Sequence, residues 1–361
     1  MSTASNLLRN DLRDFSGYAS ARSVVQQGNV WLNANESAQC NPADETGLCQ
    51  RYPEPQPAAL VARLADYYEV AVEQLLVGRG SDEGIDLLVR TFCKPGQGRV
   101  VIAPPTFGMY AVSARLHGAS VIEVPLRDAA AGFVHDMDEI ATAAIQAQAT
   151  LVFLCNPGNP TGSILSLDAL STLAGRLAGR VLLVVDEAYG EYADVASAAS
   201  LLATHDNIVV LRTLSKAHAL AAARIGCVIA QAELIAMLRR AQAPYPVPAP
   251  CIGVALDALQ VDATRVIASR VGQARTQREW LRGRLSRTPG VRCVYHSAGN
   301  FLLVRFDDAA AVQARLIAAG IVVRDMRSVP GLQDALRISI GTPAENAAVM
   351  AAIESSAKVT A

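Results

Sequence analysis

Val181-Leu182-Leu183-Val184-Val185-Asp186-Glu187-Ala188-Tyr189 is five apolar residues closed by two acids and a tyrosine. A strand with one wet face alternates apolar and polar residues. An unbroken apolar run of this length suits a strand buried on both faces, as in a parallel sheet covered by helices. Asp186 either caps the next helix or meets a partner, because an unpaired buried carboxylate is costly.

Working outward, the same alternation of strand and helix recurs. Ile85, Leu88, Val89 and Phe92 stand at helical spacing, and Pro95-Gly96 ends that helix. A strand over 99–103, Pro104-Pro105, a helix over 107–117 stopped by Gly118 and a strand over 120–124 follow. Further strands are expected over 151–155, 208–212 and 225–230. Pro244, Pro246, Pro248 and Pro250 cannot lie in a helix interior and mark a boundary. Beyond them come helical stretches to 286, strands over 291–295 and 301–306, a helix over 308–319, and strands over 321–325 and 336–340. The class is α/β: a large domain with a mostly parallel sheet covered by helices, plus a smaller α+β domain.

The 361 residues suit two such domains. With 51% hydrophobic residues, 18% charged and a net charge of −1, the chain has ample core material and no field to hold nucleic acid or a membrane surface. Apolar runs are too short to span a bilayer. The first residues carry Asp11 and Asp14 without an apolar signal core, so a cytoplasmic location is expected. Seven scattered cysteines, never spaced C-x-x-C, suggest neither a disulfide framework nor a zinc site. Among 32 basic residues, lysine occurs at Lys94, Lys216 and Lys358, and only lysine offers an amine that can become neutral near pH 7.

In open α/β sheets, ligands bind beyond the carboxyl ends of the strands. Gly78-Arg79-Gly80-Ser81-Asp82-Glu83-Gly84 opens a helix, where backbone N–H groups can hold phosphate, although its third glycine is one position late for a dinucleotide fingerprint. Asn159-Pro160-Thr161-Gly162 follows another strand and reads by itself as a turn. Thr213-Leu214-Ser215-Lys216 follows a third, with Arg224 eight residues after the lysine. Taken singly, that lysine reads as a surface residue. Together these loops bring an acid, a tyrosine, an asparagine, hydroxyls, a lysine and an arginine to one edge of one sheet.

The set resembles the fold-type I enzymes that use pyridoxal 5'-phosphate, and within them the histidinol-phosphate aminotransferases. The resemblance spans nearly the whole chain. It includes Tyr18-x-Ser20-Ala21-Arg22, Leu32-Asn33-Ala34-Asn35-Glu36, Arg51-Tyr52-Pro53, Pro104-Pro105-Thr106-Phe107-Gly108-Met109-Tyr110 and Leu336-Arg337-Ile338 besides the loops above. It implies an arm with part of the small domain over 1–45, a large cofactor-binding domain over 46–250 and a small domain over 251–361. Lys216 then corresponds to the lysine that joins the cofactor aldehyde, and Asp186 to the acid paired with the pyridine nitrogen. Asn159 and Tyr189 correspond to the pair on the phenolic oxygen, and Phe107 to the ring stacked on the cofactor. Ser81, Asp82, Thr213, Ser215 and Arg224 resemble the phosphate cup. Tyr52 resembles a tyrosine reaching the phosphate from a second copy, which implies a homodimer with shared sites. Arg337 corresponds to the arginine that grips the substrate anion, and Tyr18 lies in the segment that closes the substrate side.

The implied reaction is transamination of L-histidinol phosphate with 2-oxoglutarate, giving imidazole acetol phosphate and L-glutamate in histidine biosynthesis. An aromatic amino acid aminotransferase and a decarboxylase of a phosphorylated amino acid share the scaffold and stay open. Two positions depart from the family pattern. Ala348 stands where many relatives place a second substrate arginine, which puts phosphate affinity in question. Ala222 replaces a glycine, which is tolerable at negative φ. His218, two residues after the lysine, stands where an aromatic is common, and packing is its expected role.

Overall fold

A computed structural model describes residues 2–22 and 29–355, and Lys358 lies outside them. Helix α1 (Thr3–Leu7) is tied down by Thr3, whose N–H and hydroxyl both donate to Asp206 at 2.8 and 2.7 Å. The chain continues through α2 (Ala58–Tyr67), β1 (Leu75–Gly78), α3 (Ser81–Phe92), β2 (Arg99–Ile102), α4 (Met109–Leu116) and β3 (Ser120–Glu123). A small hairpin of β4 (Arg127–Ala129) and β5 (Gly132–Val134) precedes α5 (Met137–Gln146), β6 (Leu151–Cys155), α6 (Leu167–Leu177), β7 (Leu182–Asp186), β8 (Ile208–Thr213), β9 (Gly226–Ile229) and α7 (Ala232–Ala241).

Seven of these strands form one sheet in the order β1-β9-β8-β7-β6-β2-β3. The pairs from β8 across to β3 are parallel, and β9 runs antiparallel to both neighbours. The expected mostly parallel sheet is therefore present. Residues 214–225 join β8 to β9, and the Leu214 N–H donates to the Ile225 carbonyl at 3.0 Å, so the connection closes on itself at its base.

The apolar run of β7 explains itself in this setting. Leu182 and Val184 pack in one core with Phe153, Leu211 and Tyr110, while Leu183 and Val185 pack in the other with Leu154, Val210 and Leu170. Full burial of each such side chain contributes about 1.5–3 kcal/mol. The period of two then carries into the strand ends. Asp186, Cys155 and Thr213 fall on the face that α3 and α4 cover, and Glu187 and Arg212 on the opposite one.

Helix α8 (Ala249–Ala258) starts inside the proline run. Pro250 occupies its first turn, where a missing N–H costs nothing. Val247 and Ala255 pack in the larger core, whereas Leu281 and Leu285, near the end of the long α9 (Val261–Leu285), pack in a smaller one. That second core lies against an antiparallel sheet, in the order β10 (Val291–Val294), β11 (Phe301–Phe306), β13 (Ala335–Ser339) and β12 (Arg324–Asp325), with α10 (Ala309–Ala318) and α11 (Pro343–Glu354) packed on it. The expected strand over 321–325 is reduced to its last two residues. The expected helix over 107–117 begins at Met109, because Gly108 is its N-cap, and this leaves Phe107 in the loop before it. Among the described residues no helix is long and apolar enough to cross a membrane.

Candidate active site

Ser81, Asp82, Phe107, Asn159, Asp186, Tyr189, Thr213, Ser215, Lys216 and Arg224 line one pocket at the carboxyl end of the large sheet, together with Cys155, Ala188 and Ala221. Its volume is about 130 Å³. Lys216 stands exposed at its mouth, with Nζ 5.6 Å from the centre of the Tyr189 ring.

At the floor, Asp186 is only 2% exposed. One carboxylate oxygen accepts from the Tyr110 hydroxyl at 2.7 Å and the other from the Ala188 N–H at 3.0 Å. Burial pushes this carboxyl up to about 6, from an ordinary value of 3.8, despite those two donors. A buried acid of this kind suits a cationic partner such as a protonated ring nitrogen. Its cost to the cofactor-free chain follows from proton linkage. Between about pH 4 and 6 the folded state binds more protons than the unfolded state, so this group lowers stability as pH rises through that window, by roughly 3 kcal/mol. Asp186→Asn is therefore expected to stabilise the cofactor-free chain above pH 6 and to bring no gain at pH 4. Urea unfolding of both proteins across that range checks it, and a pH-independent difference would refute it.

The opposite end of the pocket is built for an anion. Gly80, at φ +78°, turns the chain into α3 and offers no capping side chain, so the first N–H groups of α3 face the pocket without one. A Cβ on Gly226 would sit 2.5–2.7 Å from the Gly80–Ser81 backbone, so glycine there lets β9 approach this turn. The Thr213 hydroxyl donates to Ser215 Oγ at 2.9 Å, and Arg224 reaches Asp82 at 3.1 Å. Arg224 is held in the left-handed region at φ +54°, a strained conformation for a residue with a side chain. Its pair with Asp82 is about half exposed and weak, so the guanidinium is available to a phosphate. Ala222 lies in a 3₁₀ turn outside the left-handed region, and its methyl is accommodated. Donor set and buried acid together fit a phosphorylated pyridine.

Arg337 approaches from the small domain. It donates to Asn159 Oδ1, lies 5.3 Å from the centre of the Phe301 ring, and burial lowers its pKa from the ordinary arginine value. Asn159 in turn donates to the Tyr189 hydroxyl at 3.4 Å, where burial holds the phenol protonated. Ala348 is exposed on α11. A second arginine arrives instead from β12: Arg324 is directly opposite Arg337 in the β12–β13 register, so both side chains leave the same face of the sheet. Sequence patterning did not reveal Arg324, because a two-residue strand carries no period.

Tyr18 and Tyr52 do not line the pocket. Both lie at a larger cleft beside the N-terminal segment, Tyr18 73% and Tyr52 50% exposed, with Tyr52 stacked on Tyr245 at 4.5 Å.

Behind the Lys216 loop is a buried charged cluster that spacing also left unmarked. Arg212 donates to Glu187 at 2.7 Å and Glu191 at 2.8 Å, and its guanidinium lies over the Tyr68 ring at 4.7 Å. Glu187 is held further by the Ser197 hydroxyl at 2.6 Å and the Ala198 N–H at 2.7 Å. His218 packs edge-on to Tyr67 here, and burial lowers its pKa.

The family model for aminotransferases of class I and II matches residues 5–353. A histidinol-phosphate aminotransferase of Stenotrophomonas maltophilia is 59% identical over 347 residues, covering 96% of this chain and 95% of its own. One from Xanthomonas campestris pv. campestris is 58% identical over 356 residues, covering 98% of both. Among solved structures, histidinol-phosphate aminotransferase from Sinorhizobium meliloti in complex with pyridoxal-5'-phosphate superposes with a TM-score of 0.79 at 25% identity, covering 91% of this chain and 90% of that one. With a match along nearly its whole length and a pocket of fitting chemistry, the chain belongs to the class I and II aminotransferases.

Proposed function

We propose that the chain catalyses the pyridoxal-phosphate-dependent transamination of L-histidinol phosphate with 2-oxoglutarate, in L-histidine biosynthesis, as a cytoplasmic homodimer. The observation that carries this reading is the convergence of Lys216, the buried Asp186 and an anion-type donor cluster in one pocket. Relatives named for this activity at 58–59% identity over nearly the full chain support it.

When bound, pyridoxal phosphate supplies an aldehyde for the substrate amine and a ring that draws electron density from the Cα–H bond as it breaks. Lys216 Nζ takes the proton from the substrate Cα, acting as general base. Asp186, on the floor, would hold a proton on the ring nitrogen. Asn159 and Tyr189 would hold the phenolic oxygen, and Phe107 would lie against the ring. The first N–H groups of α3, Thr213, Ser215 and Arg224 would hold the phosphate. Arg337, with Arg324 beside it, receives the anionic end of either substrate, a phosphate in one half-reaction and a carboxylate in the other. Tyr52 stands half exposed and apart from the pocket of its own chain, which supports its reaching the pocket of a second copy. Tyr18 lines the same cleft as Tyr52 and would close the substrate side.

Adding L-histidinol phosphate to the cofactor-loaded protein, without any oxo acid, is expected to convert the visible spectrum to the amine form of the cofactor and release a keto product. A band that persists with histidinol phosphate and falls with phenylalanine, tyrosine or glutamate alone would remove the histidine-pathway role. Release of CO₂ from a carboxylated phosphate ester would move the assignment to decarboxylation.

A further inference from the structure

Tyr110 has three anchors. Its ring stacks on Phe153 with centroids 4.9 Å apart and planes 7° from parallel, and it meets the Phe107 ring edge-on at 5.6 Å. Its hydroxyl, wholly removed from solvent, donates to Asp186 at 2.7 Å. The path is set locally: Phe153 and Cys155 share a face of β6, and α4 lays Tyr110 along that face directly against the end of β7. A tyrosine needed for bulk alone would be served as well by phenylalanine, since a buried hydroxyl brings a desolvation cost that only a partner offsets. Here the partner is the acid on the pocket floor. The Tyr110 and Ala188 donors occupy one lone pair on each carboxylate oxygen and leave the others free for a ring N–H.

We infer that Tyr110 is a positioning residue that holds the Asp186 carboxylate ionised and turned toward the ring nitrogen of the cofactor, while bracing the Phe107 ring against the same group. The inference rests on the proposed cofactor reading and extends it to a residue outside the pocket lining. Tyr110 acts through Asp186, so its effect depends on the nitrogen that Asp186 meets.

The test compares two ligands on the full chain freed of cofactor: pyridoxal phosphate, and its deaza analogue in which C–H replaces the ring nitrogen. Tyr110→Phe is expected to weaken binding of pyridoxal phosphate about tenfold, the size of one charge-assisted hydrogen bond, and to leave binding of the deaza analogue unchanged. In an Asp186→Ala background the same substitution is expected to change neither affinity. Equal losses for both ligands, or no loss for pyridoxal phosphate, would overturn the inference and leave Tyr110 as packing. Thermal unfolding of the variant separates either result from misfolding. Should wild-type protein fail to form a borohydride-reducible bond from pyridoxal phosphate to Lys216, the cofactor reading itself falls, a different outcome from loss of the Tyr110 effect.

Discussion

Lys216→Ala is expected to abolish turnover, by at least about 10⁴-fold, and to leave the protein folded. The loss is large because, in the proposed reaction, one amine serves as both the nucleophile toward the cofactor aldehyde and the base at the substrate Cα, and general-base catalysis alone is worth about 10²–10⁴. Alanine cannot do either. The fold is spared because Lys216 is exposed at the pocket mouth and its amine lies over the Tyr189 ring at 5.6 Å from the centre. Surface truncations away from cores and buried networks usually change stability by less than about 0.5 kcal/mol. Single-turnover spectra with histidinol phosphate, borohydride trapping and thermal unfolding of the same sample check all three parts. Residual turnover within tenfold of wild type would mean that another group is the base.

Arg212→Met is expected to show the reverse pattern, with the damage in stability first. Arg212 is 8% exposed and lies between two carboxylates, the buried Glu187 and the part-buried Glu191. Removing the cation leaves two like charges facing each other out of water, and breaking such a network costs about 3–5 kcal/mol. Glu187 keeps its hydrogen bonds from Ser197 and Ala198. Glu191 has no comparable support, as its Oε2 is buried without a partner among the described residues. Urea unfolding at neutral pH measures the loss. If the variant unfolded at the wild-type midpoint, the cluster would have no net stabilising role. Replacing both glutamates by glutamine in the Arg212→Met chain should recover much of the difference, because the uncompensated charge is the source of the cost.

The pocket was readable from sequence to the extent that it depends on period and position. A continuous apolar run names a strand buried on both faces, and the residue that ends it falls at the ligand-binding edge of the sheet. Asp186, Thr213 and Asn159 follow from that reasoning, and the alternation along β6, β7 and β8 even separates Asp186 from Glu187 by face. What stayed hidden depends on residues meeting across elements. Tyr110 is a helical tyrosine like any other until β6 and β7 place Phe153 beneath it and Asp186 before its hydroxyl. Arg324 gains meaning only through its register with Arg337, which the two residues of β12 do not announce. Arg212 looked like one more arginine among many, because the identity of its partners depends on which face of β8 and β7 each side chain leaves. Ala348 is exposed on α11, and what an arginine there would reach depends likewise on how α11 packs.

The closed connection between β8 and β9 has a consequence for how this protein can vary. Lys216 and Arg224, on the proposed reading the amine and the cation for opposite ends of the same small molecule, are carried on one stretch whose two ends are stitched together by Leu214 and Ile225. Their separation is thus a ruler cut to one guest. Loops elsewhere on the surface can lengthen or shorten without altering that measure, whereas a single residue gained or lost between 214 and 225 would mis-set it, however well the rest of the chain folded.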